Sequence, residues 1–152
     1  MRVTAKADYA LRAAIQLATA PPGVPVRGED VARAQDIPRN FLENILTELR
    51  RAGLVRSRRG AEGGYWLARS PDEISLADVL RAVEGPLAAV QGVRPDRLAY
   101  SGATERLPAV WVAVRASLRE VLENVTLADV ATGSLPPAVG ERTADPDAWR
   151  DH

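Results

Sequence analysis

Four polar side chains between residues 39 and 47 are of the types that contact the bases of DNA. On a helix, Asn40, Asn44 and Thr47 share one face, and Arg39 lies at its N-terminal edge. Arginine pairs bidentately with guanine and asparagine with adenine, while threonine contacts a thymine methyl group or a phosphate. The segment therefore predicts a helix that reads base edges in the major groove.

The opposite side of this segment is apolar. Between Pro38 and Gly53, apolar side chains recur at intervals of three and four residues, at Phe41, Leu42, Ile45, Leu46 and Leu49. This periodicity predicts an amphipathic helix, and proline is suited to the first turn of one. Arg51 falls on the polar face. A merely solvated helix face has the same composition, so this helix alone leaves both interpretations open.

A compact basic group follows this helix. Residues 54–59 are predicted to be extended, three glycines lie between residues 60 and 64, and residues 65–69 return as a second strand. The first strand carries Arg56, Arg58 and Arg59. A solvated strand is one interpretation of these arginines. After a base-reading helix they are better explained as phosphate contacts, which position a protein on DNA.

The elements around these two groups are predicted from apolar periodicity and capping residues. Residues 7–19 form a helix that ends before Pro21, and residues 29–35 form a second, short helix. After the hairpin, Ser75 and Asp78 have the spacing of a capping box at the start of another helix. Three helices followed by a two-stranded wing are the order of a winged helix-turn-helix. The predicted fold class is mainly α with a small β-hairpin wing.

The C-terminal half predicts a long dimerisation helix. Apolar side chains alternate at steps of three and four in a heptad seam, at Trp111, Val114, Leu118, Val121 and Val125. Packing back onto the chain's own domain is the alternative. Because the upstream helices already form a core, we favour contact with a second copy. The predicted divisions are 1–85 for the DNA-binding domain, 86–106 for a linker or sensory loop, 107–132 for the dimerisation helix and a short following helix, and 133–152 for a disordered tail.

The linker also suggests an effector site. Trp111 lies in the first turn of the long helix, next to Leu98 and Tyr100 of the linker. These three side chains are candidates to line an apolar pocket for a small-molecule effector or a partner protein. The alternative is that Trp111 is simply a large residue of the seam.

Composition excludes most enzyme classes. The 152 residues include no cysteine, and the single histidine is His152, so disulfides, thiolate or imidazole metal sites and Cys-His or Ser-His catalysis lack their residues. Asp72 and Glu73 are adjacent carboxylates that point apart before a helix, which does not suit an acid and base pair. We predict no enzymatic activity, no metal and no cofactor.

The charge is divided between the two halves of the chain. Residues 1–70 carry 12 Lys/Arg against 7 Asp/Glu, whereas residues 71–152 carry 8 against 13. The basic half predicts a polyanionic partner. All but one of the basic residues are arginine, which favours phosphate and guanine recognition, although a GC-rich genome produces the same bias. The chain shows no apolar run long enough to span a bilayer and no signal peptide, so a cytoplasmic location without membrane contact is expected.

Six segments of the chain together form a recognisable pattern. They are Lys6-Ala7-Asp8-Tyr9-Ala10-Leu11, Ile37-Pro38-Arg39-Asn40-Phe41-Leu42-Glu43, Ala52-Gly53-Leu54-Val55, Arg59-Gly60, Gly63-Gly64-Tyr65-Trp66-Leu67-Ala68 and Ser75-Leu76-Ala77-Asp78-Val79-Leu80. At these segments the chain resembles the Rrf2 family of bacterial winged-helix regulators, which includes the IscR, NsrR and CymR types, and the resemblance extends from residue 1 to about residue 132. The resemblance implies a homodimeric transcription factor, usually a repressor, that binds palindromic double-stranded DNA operators through the third helix and the wing and dimerises through the long C-terminal helix.

The chain departs from this family at one point. Many members bind an iron-sulfur cluster through cysteines in the loop after the helix that Ser75 begins, but residues 86–106 contain none. Asp8 matches a carboxylate that ligates the cluster in some relatives, yet one carboxylate does not hold a cluster without thiolates. The expected protein is therefore a cluster-free regulator. The alternative is a protein- or small-molecule-sensing interaction module that binds DNA weakly.

Overall fold

The computed structural model describes residues 2–151 and is mainly helical, with one β-hairpin. The helices in this part of the chain are α1 (Ala5–Ala18), α2 (Gly28–Gln35), α3 (Arg39–Arg51), α4 (Leu76–Glu84), α5 (Leu107–Leu122), α6 (Leu127–Thr132) and α7 (Pro137–Thr143), and the strands are β1 (Val55–Arg58) and β2 (Gly64–Leu67). Short 3₁₀ turns span Pro71–Glu73, Pro95–Arg97, Gly102–Thr104 and Pro146–Trp149. The predicted fold class, including the wing, is confirmed. No helix within residues 2–151 has the length and hydropathy to span a membrane.

The core forms where α1 crosses α3 and α4. The buried positions of α1 are mostly alanines, among them Ala10, Ala13 and Ala14, whose small side chains let neighbouring helices approach closely. From α3, Leu42, Ile45, Leu46 and Leu49 fill the space, each at most 1% exposed. Burying one such side chain contributes about 1.5–3 kcal/mol. The predicted apolar face of α3 therefore fixes which side of this helix faces solvent.

Phe41 was expected in that core and is instead 45% exposed. Its ring lies at the edge of the apolar face and meets the ring of Tyr9 edge-on, with centroids 5.6 Å apart. Edge-to-face contacts of this kind are favourable for aromatic pairs. Phe41 therefore attaches the exposed flank of α3 to α1 without entering the core.

The wing is held in place by the chain before α2. β1 and β2 are antiparallel, with Arg56 opposite Trp66 and Arg58 opposite Gly64. The outer edge of β2 is bonded in turn to Val26, because Val26 N donates to Tyr65 O at 2.8 Å and Tyr65 N donates to Val26 O at 2.7 Å. The hairpin therefore has a fixed position beside α2 and α3.

Two neighbouring glycines allow this close packing. A Cβ atom at Gly63 would lie 2.2 Å from Arg58 O, and one at Gly64 would lie 2.4 Å from Val26 O. Gly64 also has a φ of +150°, which L-residues with side chains rarely adopt. The Gly63-Gly64 pair is therefore required by the approach of the wing to its neighbours.

Helices α4 and α6 begin side by side with the same capping device. Ser75 caps Asp78 N and Thr126 caps Asp129 N, and each aspartate in turn accepts from the backbone N–H of its cap residue. Leu76 N donates to Val125 O at 2.9 Å, and Leu127 N donates to Ile74 O at 3.0 Å. The segment after α5 is therefore fastened to the start of α4.

The C-terminal half differs from the prediction in two places. Helix α5 ends at Leu122, and Val125 is 4% exposed within the chain's own core, so its assignment to the dimerisation seam is wrong. Within the segment predicted as a disordered tail, residues 137–143 form α7 and residues 146–149 form a 3₁₀ turn. Arg142 of α7 pairs with Glu120 of α5 at 2.9 Å, and Trp149 Nε1 donates to Thr143 O at 2.8 Å.

Candidate nucleic-acid interface

The exposed crest of α3 carries the predicted base-reading residues. Asn40, Asn44 and Arg51 are exposed, and Thr47 is partly exposed. The Thr47 hydroxyl donates to the Glu43 carbonyl at 2.9 Å, a bond that satisfies its hydrogen within the helix and leaves its oxygen as an acceptor. Asn44, Thr47 and Arg51 line one shallow depression together with Lys6 and Phe41.

Arg39 lies on the opposite flank of α3, towards the wing. Its side chain is 64% exposed, and its guanidinium is 3.7 Å from a Glu29 oxygen and 3.6 Å from a Glu43 oxygen. Both distances exceed those of a short charge-assisted hydrogen bond. The carboxylates therefore hold Arg39 loosely, and a base or phosphate that contacts Arg39 competes with them.

An open cleft of about 440 Å³ separates α3 from the wing. It is lined by the start of α2, the flank of α3 and the hairpin turn. Five arginines contribute to it, namely Arg27, Arg39, Arg50, Arg58 and Arg59, whereas Glu29 is the single carboxylate among its lining residues within the described chain. This density of guanidinium groups favours a polyanion, since phosphates release counterions when arginines neutralise them.

Two of these arginines were not identified from the sequence. Arg27 is the N-cap residue of α2, and Arg50 lies in the last turn of α3. Arg50 Nη1 donates to Ser57 Oγ at 3.1 Å, which joins α3 to β1. The sequence signal for Arg50 is its position: eleven residues after Arg39, it returns to nearly the same side of a helix with 3.6 residues per turn.

The three predicted wing arginines are divided between two surfaces. Arg58 and Arg59 line the cleft, and Arg58 Nη2 donates to Glu62 O at 3.2 Å across the hairpin turn. Arg56 is exposed and lines a neighbouring depression with Trp66. The structure thus brings Arg39, Arg58 and Arg59 together and leaves Arg56 on the adjoining side of the wing.

Helix α5 carries apolar side chains that the rest of the chain covers only in part. No residue of α5 is buried. Trp111, Val114, Leu118 and Val121 are partly buried, while Val110 is 54% exposed and Val112 is 43% exposed. In the linker, Leu98 is partly buried and Tyr100 is exposed. The proposed effector pocket formed with Trp111 stays a prediction.

The C-terminal end of α5 is joined to α4 by an ionic contact. Glu123 accepts a hydrogen bond from Arg119 at 2.9 Å and another from Arg81 of α4. These two guanidinium groups, Arg119 foremost, lower the pKa of the Glu123 carboxyl to about 2. The contact couples the position of α5 to that of α4.

Three helices around one core, a hairpin wing and an arginine-lined cleft beside the exposed face of the third helix define a winged helix-turn-helix DNA-binding protein. The family model Rrf2, described as an iron-dependent transcriptional regulator, matches residues 3–133. The chain belongs to the Rrf2 family.

Similar proteins have names that agree with this class. The HTH-type transcriptional regulator Rv1287 of Mycobacterium tuberculosis H37Rv is 57% identical over 145 residues, covering 95% of this chain and 90% of that protein. The HTH-type transcriptional regulator CymR of Bacillus subtilis is 33% identical over 132 residues, covering 87% of this chain and 91% of that protein. The chain is thus similar over most of its length to DNA-binding regulators.

Solved structures show the same fold. The structure of CymR, the global cysteine regulator of B. subtilis, aligns with a TM-score of 0.73 at 33% identity and covers 88% of this chain and 98% of that one. The structure of T. potens IscR aligns with a TM-score of 0.71 at 34% identity and covers 88% of each chain. These alignments confirm the sequence-based assignment of the winged-helix fold.

The family description refers to iron, and the residues of this chain do not fit an iron-sulfur cluster. The sequence has no cysteine. Within residues 2–151, no three histidine, cysteine or carboxylate side chains come together in a way that suits a metal ion. Asp8 pairs with Arg12 at 3.1 Å. In the linker, hydrogen bonds from Arg94 engage Asp96 and lower the pKa of its carboxyl.

Proposed function

We propose that this protein is a homodimeric repressor that binds a palindromic operator and works without an iron-sulfur cluster. The observation that carries the proposal is the cleft between α3 and the wing, in which arginines from three elements converge. The proposed DNA-contacting residues are Arg39, Asn40, Asn44, Thr47 and Arg51 of α3 and Arg56, Arg58 and Arg59 of the wing, with Arg27 and Arg50 added from the structure.

The two groups have different proposed roles. Asn40, Asn44 and Thr47 lie on the crest of α3, where side chains enter a major groove and meet base edges. Arg58 and Arg59 lie on the wing, where phosphate contacts fix the position of the protein without selecting a sequence. Arg39 lies between the groups and is proposed to contact guanine.

The dimer is proposed to form through α5. One side of this helix carries the half-exposed Val110 and the partly buried Trp111, Val114, Leu118 and Val121, whereas Val112 lies on the other side. Pairing of this helix with a second copy is favourable because it removes apolar side chains from water. Two α3 helices then meet half-sites about 34–36 Å apart, or a multiple of that spacing, in a palindrome.

The experiment that tests this function combines operator selection with two variants. Purified protein selects fragments of its source genome, and affinity is then measured on a selected fragment and on random DNA across a series of salt concentrations. Arg59→Ala is expected to weaken binding to both duplexes alike. It is also expected to reduce the slope of the logarithm of the binding constant against the logarithm of the salt concentration by about 0.9 for each lost phosphate contact. Arg39→Ala is expected to relax discrimination by about 1–3 kcal/mol.

Arg150→Ala is the control, because it removes one exposed arginine from the C-terminal segment rather than from the cleft. Equal losses on selected and random DNA for Arg39→Ala would remove this residue from the base-reading set. If no genomic fragment is enriched and binding to all DNA is weak, the alternative function as an interaction module is favoured. The protein is a repressor if it binds upstream of genes whose transcription rises when its own gene is deleted.

A further inference from the structure

A second cavity lies at the base of the wing, on the opposite side of β2 from β1. It has a volume of about 350 Å³ and is lined mainly by apolar residues from the end of α1, the turn after it and the outgoing strand, namely Leu17, Ala20, Pro21, Pro22, Gly23, Trp66, Leu67, Ala68, Arg69, Ser70 and Pro71. Cavities that bind small molecules begin at roughly this volume and are lined mostly by apolar groups with a few polar ones. None of these lining residues is acidic.

A backbone donor points into this cavity. Along an antiparallel strand, the N–H and C=O groups of successive residues point alternately to the two sides. Tyr65 bonds outwards to Val26, while Ala68 N donates inwards to Leu54 O at 2.9 Å. Leu67 has the same orientation as Tyr65, and no other segment within residues 2–151 pairs with it on that side. Its N–H is therefore an unpaired strand-edge donor.

A guanidinium lies two residues further on. Arg69 is exposed, lines this cavity as well as a neighbouring depression that contains Asp78, and forms no ion pair or side-chain hydrogen bond with any residue in the described range 2–151. Arginine binds carboxylates and phosphates strongly because several of its N–H groups lie in one plane. The cavity thus combines an apolar lining with two donors, and its acceptors are the Leu67 C=O beside the Leu67 N–H and the Ser70 hydroxyl.

We propose that this cavity binds a small apolar monocarboxylate, whose hydrocarbon part occupies the apolar lining and whose carboxylate accepts from Leu67 N–H and the Arg69 guanidinium. An ammonium ligand is disfavoured because the positive charge of the Arg69 guanidinium repels it. A bare inorganic anion leaves the apolar lining unused. The site differs from the DNA cleft, which shares none of its lining residues.

Phenylacetate is the probe, and phenylacetamide is its neutral counterpart of equal shape. The full-length protein, labelled with ¹⁵N, is titrated with each compound in the absence of DNA, and amide resonances are followed by NMR. Phenylacetate is expected to move the Leu67 amide resonance downfield, since a charged acceptor strengthens that hydrogen bond. Phenylacetamide is expected to bind at least about tenfold more weakly, because hydrogen bonds to charged groups are the stronger class.

Arg69→Gln tests the guanidinium, and Arg97→Gln is the matched control at an exposed arginine of the linker. Arg69→Gln is expected to weaken phenylacetate binding about tenfold, and Arg97→Gln to leave it unchanged. The proposal is overturned by any of three results: no change at Leu67 up to about 10 mM phenylacetate, equal affinity for the amide, or unchanged affinity in Arg69→Gln. Because DNA is absent, failure here does not bear on operator binding.

Discussion

Glu29 is expected to weaken DNA binding, and its removal to strengthen it. Its two oxygens lie 3.1 Å from Arg27 Nε and 3.7 Å from Arg39 Nη1, and it contributes the carboxylate to a cleft that is otherwise rich in arginine. A phosphate that approaches either arginine must compete with this carboxylate and is repelled by it. Glu29→Gln removes both effects and keeps the size of the side chain.

The magnitude follows from the exposure of these pairs. All three side chains are at least 42% exposed, and exposed ion pairs contribute about 0.2–1 kcal/mol each. When Glu29→Gln removes two such pairs, the free energy of DNA binding improves by about 0.4–2 kcal/mol, which corresponds to roughly twofold to thirtyfold tighter binding. If each freed arginine gains a phosphate, the salt dependence also steepens by about 0.9 per contact.

Fluorescence anisotropy on a random duplex across a series of salt concentrations measures both quantities. Asp30→Asn is the matched control, because it removes a negative charge from the same first turn of α2 at a side chain that pairs with Arg33 outside the cleft. The reasoning is refuted if Glu29→Gln binds no more tightly than Asp30→Asn. In that case overall charge, and not the local pairing of Arg27 and Arg39, governs the affinity.

Three further predictions concern assembly and stability. Val110→Asp is expected to give folded monomers in light scattering, because a dimer formed through α5 would bury an unpaired carboxylate. Val24→Asp, at another exposed valine, is expected to stay dimeric, and a dimeric Val110→Asp would place the interface elsewhere. Because the pKa of Glu123 is lowered, its contribution to stability is present above its ordinary pKa and is lost as the pH falls from 4.5 to about 2. The melting temperatures of wild type and Glu123→Gln should therefore converge over that pH range, and a constant difference between them would contradict the pairing. Ser75→Ala and Thr126→Ala are each expected to reduce the free energy of unfolding by about 0.5–2 kcal/mol in urea titrations. If the loss in the double variant equals the sum of the two single losses, the two helix caps are not coupled.

The sequence predicted those elements whose signals are local. The capping spacing of Ser75 and Asp78 marks the start of α4, and the apolar period of α3 separates its buried face from its exposed face. Both signals act within a few residues, so no knowledge of the rest of the chain is needed. The glycine-rich wing is predictable for the same reason, because its turn requires backbone conformations that glycine adopts readily.

The residues that the sequence misplaced depend on contacts between distant segments. The heptad pattern continues to Val125, yet the helix ends at Leu122 because Val125 O accepts from Leu76 N and the next turn is capped by Thr126. Arg27 joins the cleft only because the wing is bonded to Val26 beside it. Pairings of this kind have no periodicity along the chain, and the sequence alone therefore does not reveal them.

The paired beginnings of α4 and α6 fix the C-terminal end of α5. Its C-terminal end is tied to α4 by the backbone bonds of Leu76 and Leu127 and by the contact between Arg81 and Glu123. Its 16 residues extend about 24 Å from that end at 1.5 Å per residue. A tilt of about 10° at the fixed end displaces the far end by about 4 Å, so a small adjustment where α4 meets α6 is amplified along the helix proposed to join the two subunits.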